Sequence, residues 1–124
     1  MSRTINISKS GGVPVARITI GQAQFGKFGL YVFESDKTTF HTIGIGHVPP
    51  GQQSFAMGDP AVLGGEYLSW HVKVAPFDAP PQQLFSVLVE VIQDGNVVNS
   101  FTDSGQFTGT TPKDIVSSAS IVAV

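Results

Sequence analysis

The chain has 124 residues, the size of one ordinary domain. Only 13% of them are charged, about half the roughly 25% of a typical soluble domain. With 41% hydrophobic residues this excludes disorder, and a net charge of −2 with seven scattered Lys and Arg argues against nucleic-acid binding through bulk charge.

The chain contains no cysteine, which removes disulfides, thiolate metal sites and cysteine nucleophiles. Residues 1–12 are polar and lack the apolar stretch of a secretory signal. The longest charge-free stretch, residues 38–58, is broken by His41, His47, Pro49 and Pro50, so no membrane span is expected. The simplest expectation is a cytoplasmic, soluble single domain over residues 1–124, with a signal-less export route left open. Val, Ile, Thr and the aromatics dominate, whereas Leu, Glu and Lys, which fill surface helices, are few.

Strand patterns recur along the chain, with Gly and Pro between them. Residues 3–7 alternate through Ile5 and Ile7. Residues 13–20 place Ala16, Ile18 and Ile20 on one face and Val15, Arg17 and Thr19 on the other. Residues 28–34 are apolar on both faces, Phe28, Leu30 and Val32 against Tyr31 and Phe33. Such a strand is central in a covered sheet or turns its second face to a partner. Residues 40–46 put His41, Ile43 and Ile45 on one side. Gly44 and Gly46 thin the other, which suggests a bulge or a close backbone approach.

Residues 59–64 read as one 3₁₀ turn, with Asp59 as cap, Pro60 first and Gly64 as stop. Residues 66–75 form the clearest strand, with Leu68, Trp70, Val72 and Val74 on a core face and Tyr67, Ser69, His71 and Lys73 toward water. The Pro-rich residues 76–83 form a long connection. Residues 84–93 point Phe85, Val87, Val89 and Val91 one way and Leu88 and Ile92 the other. Asp94-Gly95 is the preferred pair for a type I′ hairpin. Its return strand is read over residues 96–101, followed by a loop over residues 103–109 with a short strand near Phe107. Thr111-Pro112-Lys113-Asp114 resembles a capped single turn. Residues 115–124 close the chain as a strand with Ile115, Ala119 and Ile121 in register.

The expected fold is an all-β, antiparallel two-sheet β-sandwich, immunoglobulin-like or jelly-roll, with seven to nine strands and at most single-turn helices.

Catalytic patterns are sparse. His41, His47 and His71 do not have the spacing of a zinc site, so no metal is expected. No G-x-S-x-G is present, and Gly44-Ile45-Gly46 precedes no helix, so neither a serine nucleophile nor a nucleotide cofactor is indicated. Glu34, Glu66 and Glu90 are single rather than paired across a cleft. Asp36, Asp59, Asp78, Asp94 and Asp103 could gather calcium only if several loops converged; turn formation explains them as well. The chain is therefore read as a non-enzyme without cofactor.

Tyr67, His71 and Lys73 form the candidate recognition stripe: a ring, an imidazole and a cation in one line. Phe77 is a further ligand-contact candidate, and Phe55 and Phe107 are loop residues that either plug an end of the fold or form a tip. The expected function is a binding module for a macromolecule or glycan, using loops and an exposed sheet face. The alternative is a structural or assembly subunit that acts by homo-oligomerisation. Edge strands normally use charge to discourage pairing with neighbours. With so little charge available, the surplus apolar surface is expected to be covered by a partner, such as another copy of the chain.

Overall fold

The computed structural model describes residues 3–21, 25–48, 51–75, 84–107 and 111–124. The chain is nearly all β. Its strands are β1 (Thr4–Ile7), β2 (Val15–Gly21), β3 (Phe25–Phe33), β4 (Phe40–Val48), β5 (Gly51–Ala56), β6 (Tyr67–Ala75), β7 (Leu84–Gln93), β8 (Asn96–Gln106) and β9 (Lys113–Ala123), with one helical turn, α1 (Pro60–Leu63), between β5 and β6. They form two sheets: five strands in the order β1-β9-β6-β3-β4 and four in the order β5-β2-β7-β8. Among the described residues, only β3–β4 and β7–β8 are sequence neighbours paired in one sheet; the other consecutive strands belong to different sheets. All pairings are antiparallel except β1 with β9.

The alternation written in the sequence decides which side of each sheet is dry. Leu68, Trp70, Val72 and Val74 of β6, with Phe28, Leu30 and Val32 of β3, share a single cluster with Ile18 and Ile20 of β2 and Val87, Val89 and Val91 of β7. One core therefore serves both sheets, and Trp70 is fully buried in it.

Both pairs of sheet edges are joined. At one, Gly44 and Gly46 of β4 leave room for β5. A Cβ at Gly44 would lie 2.5 Å from the Phe55 ring, and Phe55 packs on Phe28 at 5.8 Å between centroids. At the other edge, the Arg3 guanidinium bridges the sheets. It donates to Asp103 of β8 at 3.0 Å and to the Ser117 hydroxyl of β9 at 2.8 Å. It also lies 5.8 Å from the Trp70 ring and 5.6 Å from the Phe101 ring. Buried Gln93 ties down the β1–β2 connection, donating to the carbonyls of Ser8 and Gly12 and accepting from the Ser8 amide.

Several sequence expectations are corrected. Residues 51–56 form a strand, β5, and Phe55 is part of it rather than of a loop; Gln52, Gln53 and Ser54 hide the alternation. β8 continues to Gln106 because Asp103 is held by Arg3 instead of ending the strand. Lys113 and Asp114 are not a capped turn: they belong to β9 and pair with Val74 and Lys73 of β6. A register shift between Leu30 and Tyr31 interrupts the alternation of His41, Ile43 and Ile45. Register then sets His41 beside Val32, whose side chain is in the core, and Ile45 beside Gly29 on the opposite face. The turn after Asp59 is α-helical rather than 3₁₀; Gly64 ends it as expected, and Gly65 at φ +84° has the left-handed backbone that follows. The Asp94-Gly95 hairpin is as expected, with φ +53° and +80°.

Candidate functional site

Register assembles the outward face of the five-stranded sheet into four rows. Phe33 sits between Phe40 and Tyr67, Tyr31 between Thr42 and Ser69, Gly29 between Ile45 and His71, and Lys27 between His47 and Lys73. On the far side of β6, strand β9 adds Ser120, Ser118, Val116 and Asp114, one to each row. The face is thus aromatic at one end, cationic at the other, and glycine-thinned between them.

The rings touch one another. Phe33 and Phe40 stack with centroids 4.9 Å apart, and Tyr31 meets Phe40 edge-on at 5.6 Å. Tyr31 meets His71 at 5.2 Å and 65°. The Tyr31 side chain leans along its own strand over Gly29, where a Cβ would collide with its hydroxyl. An aromatic covering a strand glycine keeps that position packed without adding a side chain there.

A trough of about 380 Å³ opens over Gly29, walled by Tyr31, Ile45, His71 and Val116, with Lys27 and Lys73 at its end. A second hollow, about 230 Å³, lies further along the face between Phe33, Lys37, Tyr67, Ser69 and Ser118. Lys37 reaches it from the β3–β4 turn, where its φ is +62°, and places its ammonium 5.1 Å from the Tyr67 centroid. Asp36 holds that turn. Its carboxylate accepts a 2.6 Å hydrogen bond from the Thr39 hydroxyl and 2.9 Å bonds from the Thr38 and Thr39 amides. These bonds, the Thr39 hydroxyl first, hold its pKa down at about 2.

Of the four residues singled out by sequence, Tyr67, His71 and Lys73 share this face, with His71 and Lys73 exposed and Tyr67 half-buried. Six residues separate Tyr67 from Lys73, about 20 Å along a strand, so they mark opposite ends rather than one cluster. Phe77 lies outside the described residues. The stripe reading missed Tyr31, Gly29 and Lys27 of β3 and Ile45 of β4. The two-faced pattern of residues 28–34 announced the aromatic half; which strand lay beside it was a matter of register.

The other candidates have structural partners. Phe107 is buried against Phe85 at 5.1 Å and plugs an end of the core. Asp59 caps α1 by accepting from the Ala61 amide, and Asp94 accepts from the Gly12 amide. Among the described residues no group of three or more His, Asp or Glu could hold a metal ion, and no helix is long and apolar enough to cross a membrane.

The outward face of the four-stranded sheet is different. Thr19, Ser86, Ser100, Thr102 and Ser104 share it with Leu84, Leu88, Ile92 and Val97, and Arg17 on β2 faces Glu90 on β7 with a 2.9 Å ion pair. In comparisons with known proteins, no family model, no curated protein and no solved structure matches the chain.

Proposed function

We propose that the chain is a non-catalytic β-sandwich module that binds a macromolecule or glycan on the outward face of its five-stranded sheet. The observation that carries this reading is the trough over Gly29. It lies over two interior strands, β3 and β6, and is bordered by rings, imidazole and cations together. A sheet face that only has to be wetted can do without rings and unpaired like charges, as the smaller sheet does with its hydroxyls, aliphatic side chains and matched ion pair. Aromatic side chains are costly to leave half in water and are enriched where proteins bind others. The shared core and the two joined edges support a rigid scaffold beneath this face.

The test is a glycan and protein-ligand screen with the wild-type chain, followed by Tyr31→Ala and His71→Ala. Both variants are expected to fold, since neither side chain is in the core, and to lose the binding that the screen finds. Binding that survives both variants would contradict the reading.

A second reading has its own observation. Ile45 and Val116 are 67% and 68% exposed on the same face, and Phe40 is 52% exposed. An apolar rim of this kind also suits homo-oligomerisation, which would make the chain a structural or assembly subunit. Solution mass decides: a monomer at micromolar concentration contradicts this second reading, and a dimer that dissociates on Val116→Lys supports it.

A further inference from the structure

We infer that the ligand of the trough is an acidic saccharide, a sugar carrying a carboxylate or sulfate, whose acidic group sits between Lys27 and Lys73. The inference rests on the binding reading above and names the class of ligand for that same face.

Register sets Lys27 directly opposite Lys73 on neighbouring antiparallel strands. Like charges directly opposite each other destabilise a sheet. The ion pairs among the described residues are Arg3–Asp103 and Arg17–Glu90, so neither lysine is neutralised by a salt bridge there. Asp114 is the register neighbour of Lys73, and it too stays outside ion-pair distance. Two ammonium groups on the trough outnumber that one carboxylate. An arrangement that weakens the sheet without a ligand is complementary to an anion with one.

The rest of the ligand follows from where the trough lies. β3 is paired on both sides, by β4 and β6, and β6 by β3 and β9. Their main-chain groups are therefore taken up in the ladder, and a peptide cannot add here as a strand, which is the usual source of main-chain affinity for an extended peptide. Only side chains are on offer: the half-exposed Tyr31 ring, the His71 imidazole edge-on to it, the Ser118 hydroxyl one row away, and the two lysines, since the buried Ser69 hydroxyl already donates to the Ser117 carbonyl. A ring for stacking, neutral hydrogen-bonding groups and a cation pair suit a saccharide ring with an acidic substituent.

The experiment is an array of uronate-, sialate- and sulfate-bearing glycans beside neutral glycans of the same ring types, with polyglutamate as an acidic peptide. It is probed with the wild type, Lys27→Gln/Lys73→Gln and Tyr31→Ala, each checked for native fold by circular dichroism. Binding confined to acidic glycans, and weakened roughly tenfold or more in the lysine double variant, is the expected result. Neutral glycans that bind as well as acidic ones, with binding lost only in Tyr31→Ala, would overturn the acidic assignment and leave the binding face standing. Polyglutamate binding as tightly as the acidic glycans would overturn the saccharide assignment. Binding of nothing on the array would overturn the inference, while a protein ligand found in the broader screen and lost in Tyr31→Ala would still uphold the binding face.

Discussion

The two outward faces of this protein are built on the same core but use opposite solutions to the same problem. At the middle of the smaller sheet, Arg17 meets Glu90 in a bonded pair, with serines and threonines around it. On the larger sheet, toward one end of its face, Lys27 meets Lys73, and the rows beyond hold a bare glycine and half-exposed rings. A cross-strand pair of opposite charge contributes to stability, and a like pair opposes it. In its charges, the smaller sheet's face is thus accounted for by folding alone. The larger sheet's face is not, and that difference locates the candidate site better than any single residue does.

The sharpest contrast lies between the two sides of β6. Trp70→Ala removes the largest core side chain and is expected to cost about 3–5 kcal/mol in denaturant unfolding. His71→Ala, one residue along but on the outer side, is expected to stay within about 0.5 kcal/mol, as surface changes do. Equal losses would mean that the outer face is part of the fold's energetics rather than a surface free to bind.

The glycines of β4 come next. Gly44→Ala forces a Cβ into the Phe55 ring where the two sheets meet, and is expected to cost about 1–3 kcal/mol. A neutral result would mean that the β4–β5 edge is loosely packed.

The two faces can also be made alike. Lys27→Glu turns the like pair into an opposite one and is expected to raise stability by about 0.2–1 kcal/mol while abolishing binding of acidic ligands. A loss of stability on this change would contradict the contrast drawn between the sheets.

The smallest effect concerns the turn that presents Lys37. The Asp36 pKa is held near 2, below the ordinary carboxylate value of 3.8. A depressed pKa in the folded state gives a contribution that is complete above the ordinary value and is lost as pH falls toward 2. Unfolding midpoints compared between pH 5 and pH 2 should therefore fall less in Asp36→Asn than in the wild type. Identical pH dependence would show that the three hydrogen bonds to this carboxylate do not stabilise the turn.

Much of this was legible in the residues. Clean alternation in β2, β6 and β7 assigned their inner faces, and Asp94-Gly95 fixed the β7–β8 hairpin, because local chemistry decides those features. What failed depended on partners distant in sequence. β5 has only Gln53 and Phe55 on its inner side, and Phe55 has a place to go only because Gly44 has no side chain. Asp103 reads as a loop residue until Arg3, 100 positions earlier, is brought beside it. The bulge at Leu30 and Tyr31 decides that Ile45 rather than His41 joins the outward face; Gly44, opposite Leu30, signals such a bulge, but not which side chains it turns outward. Tyr67, His71 and Lys73 could be read as one side of one strand. The opposition of Lys27 to Lys73 is a product of register between strands 46 residues apart, and it is that opposition which gives the face its chemical character.

The account as a whole turns on which face binds. The direct measurement is a titration of the isotopically labelled protein with an acidic oligosaccharide from the array, followed by amide and side-chain NMR shifts. Shifts concentrated at Gly29, Tyr31, His71 and Lys73, with Thr19, Ser100 and Thr102 unmoved, are the predicted result. Shifts centred on the smaller sheet, or spread evenly over both, would contradict it.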